Sequence, residues 1–203
     1  MDVALATLTG SHRLTALAHR DHVFLSPLSG AKVDQVLSML ELRQGARVID
    51  VGCGKGEMLV RLAERRGASG VGLEPNADLL AEARTRAASR VPESDLAFHA
   101  VPAGDFDTLP DSFDAALCVG STEAYGSYRD ALRALAAMVR PHGRMLVGER
   151  FWRRRPHPDY LAATGTGADE LLDHPRNVRA GEEAGLVPIC TAVATEEEWD
   201  HYE

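Results

Sequence analysis

The stretch Val48–Met58, "VIDVGCGKGEM", decides the fold of this chain. An apolar run that contains one aspartate leads into three glycines at alternate positions, and a segment with helical periodicity follows. This order is typical of the first strand, turn and helix of an α/β domain, in which glycines let a ligand come close to the backbone.

Two familiar glycine loops differ from this one in spacing. A phosphate loop that hydrolyses ATP needs an earlier glycine where Ile49 stands and a hydroxyl residue where Gly56 stands. A dinucleotide fingerprint needs its third glycine at the position of Glu57, whose carboxylate would meet the charge of the pyrophosphate. Both alternatives are therefore disfavoured.

Short β-rich runs alternate with amphipathic segments along the chain, which predicts a doubly wound, mostly parallel sheet. The predicted strands are Arg47–Val51, Gly70–Glu74, Leu96–Val101, Phe113–Val119, Arg144–Glu149 and Val187–Ala194. The predicted helices between them are Glu57–Arg66, Asn76–Arg90, Tyr128–Arg140 and Gly167–Ala184.

The two ends of the chain complete this organisation. Ser29 is placed to cap a helix, and another helix is expected from Ser11 onward, so residues 1–45 are predicted to form a helical lid and residues 46–203 the main domain. Glu196–Glu203 has the pattern of a helix start, which leaves no sequence for a final antiparallel strand. We expect a six-stranded sheet, or a chain that continues further.

Composition narrows the range of partners. The net charge of -8 disfavours a surface that coats nucleic acid and fits a small-molecule partner better. The three cysteines are far apart, which indicates neither a zinc site nor a disulfide framework and predicts a cytoplasmic protein. No run has the length of a membrane span, and His12, His19 and His22 lack the carboxylate that would complete a metal site.

Acidic residues accompany the first two predicted strands. Asp50 suggests a positively charged ligand group near the loop, because an ionised carboxylate is costly to bury without a partner. Glu74 ends the second strand, 20 residues beyond Gly54, where a carboxylate can accept both hydroxyls of a ribose.

Four segments together resemble the successive motifs of the class I S-adenosylmethionine-dependent methyltransferases: "VIDVGCGKG", "VGLEPN", "AGDFDTLPDSFDAAL" and "LAAMVRPHGRMLVGE". The resemblance covers roughly residues 46–150 and implies a Rossmann-like methyltransferase fold. It also implies S-adenosyl-L-methionine as cofactor and S-adenosyl-L-homocysteine as product.

The resemblance assigns cofactor contacts to residues of the first three segments and to residues at the end of the fourth predicted strand. It implies that Asp50, Gly52 and Gly54 lie at the methionine part and ribose, and that Glu74 holds the ribose hydroxyls. Adenine would be lined by Pro75, Asn76, Asp105 and Phe106, and the methionine moiety and its methyl group by Val119, Gly120 and Ser121. Lys55 replaces a more frequent small residue, and its side chain is expected to point to solvent.

The acceptor side is less sharply defined by the sequence. His22, Glu123 and Tyr125 are the candidate general bases, since they come from the lid and from the end of the fourth strand. We predict transfer of the methyl group to an oxygen, nitrogen, sulfur or carbon atom of a small molecule. The alternatives are a non-catalytic binding module, a nucleic-acid methyltransferase supported only by Arg153–Arg155, and a nicotinamide oxidoreductase. The sequence leaves the oligomeric state open.

Overall fold

The computed structural model describes residues 14–165, 167 and 170–203. Within them, five parallel strands form one sheet in the order β3-β2-β1-β4-β5. Their bounds are β1 Arg47–Val51, β2 Ser69–Leu73, β3 Leu96–His99, β4 Phe113–Val119 and β5 Val139–Gly148. The expected α/β, doubly wound fold is confirmed.

Helices fill the connections between the strands. Their bounds are α1 Gly30–Ser38, α2 Glu57–Arg66, α3 Ala77–Arg90, α4 Tyr128–Met138, α5 Pro158–Thr164, α6 His174–Glu183 and α7 Glu196–Tyr202, with 3₁₀ turns at Ala103–Asp105 and Thr122–Tyr125. Residues 14–18 are also helical. Among the described residues, no helix combines the length and the apolar character needed to cross a membrane.

Local capping explains where two of these helices begin. The Ser29 side chain accepts the N–H of Lys32 and starts α1 as predicted. The prediction that α6 begins at Gly167 is wrong, because the Asp173 side chain caps the helix at the Arg176 N–H and a proline occupies its first turn.

Both faces of the sheet are buried. Val48 and Leu117 pack on one face with α1, α2 and α3, whereas Ile49 and Cys118 pack on the other face with α4. Successive residues of a strand point to opposite faces, so the continuous apolar runs of β1 and β4 serve two cores at once.

The predicted sixth strand, Val187–Ala194, is wrong, and the sheet of the described residues has five strands. Residues 187–194 belong to no helix or strand, and Val187 and Ile189 are 83% and 63% exposed. Among the described residues, no backbone hydrogen bond links this segment to another strand. Its β-branched composition favours a strand, but a strand also requires a neighbour that supplies hydrogen bonds.

The strand order opens a crevice at one edge of the sheet. The chain runs from β1 outward to β3 and then crosses to β4 on the other side of β1. The connections after β1 and β4 therefore leave in opposite directions, which is the position where open α/β sheets bind their ligands.

Candidate active site

A cavity of about 600 Å³ occupies this crevice at the carboxyl ends of β1, β2 and β4. Nine of the residues expected to bind the cofactor line it: Asp50, Gly52, Gly54, Glu74, Pro75, Asn76, Val119, Gly120 and Ser121. The topology thus brings together residues that are up to 71 positions apart, Asp50 and Ser121.

The glycine loop has a backbone that other residues rarely adopt. Gly52, Gly54 and Gly56 have φ values of 69°, 52° and 69°. A Cβ on Gly56 would lie 2.8 Å from Phe98 and 2.9 Å from Ala83. Gly56 therefore permits close packing of α2 against its neighbours, the task that a dinucleotide fingerprint gives to a later glycine.

Glu57 is held by three arginines. Its buried carboxylate accepts hydrogen bonds from Arg61, Arg86 and Arg90 at 2.7, 2.6 and 2.7 Å. Burial raises the pKa of Glu57, but the hydrogen bonds from Arg61 and Arg90 outweigh it and hold the pKa below its ordinary value. The residue ties α2 to α3, and its charge is neutralised within the protein.

The carboxylate of Glu74 is fixed in the cavity wall. One oxygen accepts the N–H of Gly54 at 3.2 Å, and the other accepts the N–H of Asn76 at 2.9 Å. These bonds join the glycine loop to the end of β2. Each carboxylate oxygen has two lone pairs, so these two N–H groups alone do not saturate the carboxylate.

Asp50 is 3% exposed and lines the same cavity. Burial, followed by the charge of Glu74, raises the pKa of Asp50 to about 8. Among the contacts of the described residues, no hydrogen-bond donor reaches its carboxylate. A cationic group in the cavity would lower that pKa and restore the charge, so the site fits a ligand with a positively charged end.

The expectation that Lys55 points to solvent is wrong. The side chain is 2% exposed, its Nζ lies 2.9 Å from a carboxylate oxygen of Glu82, and it donates to the backbone oxygen of Arg20 at 2.7 Å. The lysine therefore connects the glycine loop to the segment that precedes α1. A long side chain with a charged end can be buried where both a carboxylate and a carbonyl receive it.

Val101, Pro102 and Ala103, which come shortly before the predicted adenine residues Asp105 and Phe106, line the cavity. Asp105 is exposed and lies outside the lining, two residues further along the same turn. Phe106 packs against His99 with ring centroids 5.5 Å apart. The roles of Asp105 and Phe106 in binding adenine stay predictions.

The three candidate bases are separated by the fold. Glu123 is exposed and lines the cavity, whereas His22 and Tyr125 do not. The Tyr125 hydroxyl is buried, with no hydrogen-bond partner among the described residues, and burial raises the pKa of Tyr125 to about 12. The neighbouring His19 does line the cavity. Thr15, four residues earlier, lines the cavity as well. A spacing of four residues is the sequence pattern that indicates two side chains on one helix face.

Comparisons with known proteins agree with this geometry. A model of the methyltransferase domain matches residues 48–143. The uncharacterized protein YjhP of Escherichia coli strain K12 is 31% identical over 94% of this chain and 77% of its own length. A ubiquinone biosynthesis O-methyltransferase of Aeromonas salmonicida is 33% identical over 70% of this chain and 63% of its own.

Solved structures extend the comparison to the cofactor. An S-adenosylmethionine-dependent methyltransferase of Geobacter sulfurreducens, crystallised with S-adenosyl-L-homocysteine, is 27% identical. It superposes with a TM-score of 0.86 over 94% of this chain and 77% of that one. The contacts of Asp50 and Glu74 with such a cofactor stay predictions. The chain belongs to the class I S-adenosylmethionine-dependent methyltransferases, with S-adenosylmethionine as cofactor and S-adenosylhomocysteine as product.

Proposed function

We propose that the chain transfers the methyl group to a hydroxyl oxygen of a small molecule by in-line displacement. The observation that carries this proposal is the junction of two cavities. The cofactor cavity shares Val119, Gly120 and Glu123 with a second cavity of about 1490 Å³. An acceptor in the second cavity would meet the cofactor at the end of β4.

The bound cofactor supplies a methyl group activated by its sulfonium. The protein supplies alignment: Asp50 faces the cationic end, Glu74 fixes the ribose, and the glycine loop admits the methionine part. Positioning of two reactants contributes a large share of the rate in such reactions, so the protein needs few groups that take part in bond making. We propose further that residues 1–45 act as a lid, since Thr15, Phe24 and Ser26 line the cofactor cavity.

The charges of the second cavity favour a small molecule over nucleic acid. Among the described residues, its lining contains four arginines and four glutamates: Arg140, Arg144, Arg150 and Arg153, with Glu123, Glu149, Glu170 and Glu182. Such a mixture provides no continuous positive groove for phosphates. Arg153–Arg155 is exposed, and Arg153 pairs with Glu196 at 2.9 Å. We propose oxygen as the acceptor atom because the Aeromonas salmonicida relative is named as an O-methyltransferase.

A sensing module that binds the cofactor without turnover is the second candidate. A bulky side chain that filled the space beside the end of β4 would favour it. The second cavity leaves this position open instead, at Val119 and Gly120. The observation therefore supports transfer over sensing.

The proposal is tested with S-adenosylmethionine that carries a labelled methyl group. Purified protein is mixed with fractionated metabolite extract and with a panel of phenols, catechols and aliphatic alcohols, and labelled products are identified by mass spectrometry. We expect label on the oxygen of one small-molecule class and none on DNA or RNA. Label on nucleic acid, or tight cofactor binding without transfer to any fraction, would contradict the proposal.

A further inference from the structure

Two histidines and a tyrosine form a cluster at the mouth of the cofactor cavity. Nδ1 of His19 lies 3.1 Å from Nδ1 of His22. The Tyr202 ring stacks on both, with centroids 5.6 Å from His19 and 4.8 Å from His22. His19 lines the cofactor cavity and Tyr202 lines the second cavity, so the cluster borders both the cofactor site and the proposed acceptor site. The three rings therefore constrain the orientation of an imidazole at the cavity wall.

The contact between the histidines determines which nitrogen of His19 is available. One Nδ1 donates and the other accepts, so Nδ1 of His19 is engaged by His22 in either tautomer. When Nδ1 of His19 donates to Nδ1 of His22, the remaining ring nitrogen, Nε2, is unprotonated and can accept a proton from a ligand. Among the described residues, no hydrogen bond to this atom competes for it.

The C-terminal helix α7 holds Tyr202 in place. Glu198 pairs with Lys32 and accepts the N–H of Ser29 at 3.0 Å, which fastens α7 to the start of α1. A capping box between Thr195 and Glu198 starts the helix. Tyr202 lies one turn beyond Glu198, so this attachment brings its ring onto the histidines.

We propose that His19 is the general base for the acceptor hydroxyl and that His22 is a positioning residue for it. The inference rests on the proposed transfer to oxygen. Nε2 of His19 takes the hydroxyl proton as the oxygen lone pair forms the bond to the methyl carbon. The bond between that carbon and sulfur breaks, its electron pair stays on sulfur, and the imidazolium later releases the proton to water.

The surroundings keep His19 in the form that a base requires. Burial, followed by the charges of His22 and Lys55, lowers the pKa of His19. Among the described residues, the titratable groups that face it are His22, Tyr202 and Lys55, and the charge of Lys55 is balanced by Glu82. A neutral imidazole at neutral pH can accept a proton, which a charged one cannot.

The first arm of the test uses the protein without acceptor. Nuclear magnetic resonance of ¹⁵N-labelled histidine rings is recorded across pH, with and without S-adenosylhomocysteine, and His19→Gln assigns the signals. We expect His19 to titrate below the ordinary range and its signals to move when S-adenosylhomocysteine is added, whereas the signals of the exposed His201 should not respond to the ligand. A His19 ring that stays protonated above pH 7, or that ignores S-adenosylhomocysteine, would overturn the proposal.

The second arm measures turnover with the hydroxyl acceptor found by labelling. His19→Gln is expected to lower kcat by about 10² to 10⁴, to abolish the loss of rate at acidic pH, and to lower kcat far more than S-adenosylhomocysteine affinity. His22→Ala should shift the pH profile and lower kcat about tenfold, and His22→Asn should restore both because its amide replaces Nδ1. His201→Gln is the matched control and should resemble the original chain.

The two arms separate this inference from the proposed function. If no hydroxyl acceptor is found, the proposed function is wrong. The first arm still shows whether His19 lies at the cofactor site and whether its ring is neutral at neutral pH. Full activity of His19→Gln with a normal pH profile excludes it as the base even when transfer to oxygen is established. Equal losses in His22→Asn and His22→Ala would show that His22 does not position His19.

Discussion

Gly52→Ala is expected to lower the free energy of unfolding by about 3 to 5 kcal/mol and to remove measurable S-adenosylhomocysteine binding. Gly52 has a φ of 69°, where an alanine is strained. Its new Cβ would also lie closer than 3.0 Å to both Cβ and Oγ of Ser121. The ends of β1 and β4 would have to separate, and they form two walls of the cofactor cavity. Urea denaturation and calorimetry measure the two losses.

Gly45→Ala is the matched control for this variant. Gly45 has the same φ of 69°, but nothing lies within 4 Å of its added Cβ. Gly45→Ala should lower the free energy of unfolding by only about 1 to 2 kcal/mol and leave S-adenosylhomocysteine binding intact. In the Gly52→Ala background, Ser121→Gly should recover stability and Ser121→Ala should not, because Cβ itself collides. Equal losses for Gly45→Ala and Gly52→Ala would contradict the close approach of the two strands.

Asp50→Asn is expected to raise stability and to weaken cofactor binding. At pH 7 the gain should be about 2 to 4 kcal/mol, because an amide does not bear the cost of burying an ionisable group. S-adenosylhomocysteine affinity should fall roughly 100-fold, since the cationic end of the ligand loses its carboxylate. Thermal unfolding and calorimetry on the same samples report the two effects.

The raised pKa of Asp50 determines how the stability of the fold changes with pH. The folded pKa of Asp50, about 8, lies above its ordinary value of 3.8, so the folded state binds the extra proton between these limits. Stability from this group is complete below about pH 4 and is lost as pH rises through about 8. Asp50→Asn should remove that decline. Cofactor affinity of the original chain should increase over the same range, because binding favours the ionised carboxylate.

Asp114 provides the contrasting buried carboxylate. It is 5% exposed, against 3% for Asp50, but it is bound by Arg43, Arg140 and the N–H of Arg47. Asp114→Asn should therefore destabilise the protein, by about 1 to 3 kcal/mol, and leave cofactor affinity unchanged. If Asp50→Asn and Asp114→Asn destabilise the fold to the same extent, then Asp50 has a partner within the protein and is not an unpaired carboxylate that binds a cationic ligand.

Much of the fold follows from local patterns in the sequence. The observed β1, β4 and α2 have the predicted bounds, because continuous apolar runs and glycine turns mark buried strands and their ends clearly. The position of Glu74 in the cavity wall is expected because strand ends meet at one edge of a parallel sheet, and its contact with the ribose stays a prediction. These inferences need only periodicity and chain order.

The remaining features depend on contacts between distant parts of the chain. Val187–Ala194 has strand composition but pairs with no strand in the part of the chain that the structure describes, and its own residues do not reveal this. Lys55 is buried because Arg20 and Glu82 meet at that point. His19 lines the cavity and His22 does not. The two histidines are only three residues apart, so their positions in the sequence do not show which of them faces the cavity. Such outcomes are determined by packing rather than by propensity.

Titration of S-adenosylhomocysteine into the original chain and into Glu74→Gln tests the cofactor site most directly. Calorimetry is expected to show one ligand per chain, an affinity about 100-fold weaker for Glu74→Gln, no change for the exposed Glu93→Gln, and no heat from NAD. The ribose would then depend on the carboxylate that Gly54 and Asn76 hold in place. Unchanged affinity in Glu74→Gln, or binding of NAD in place of S-adenosylhomocysteine, would contradict the account.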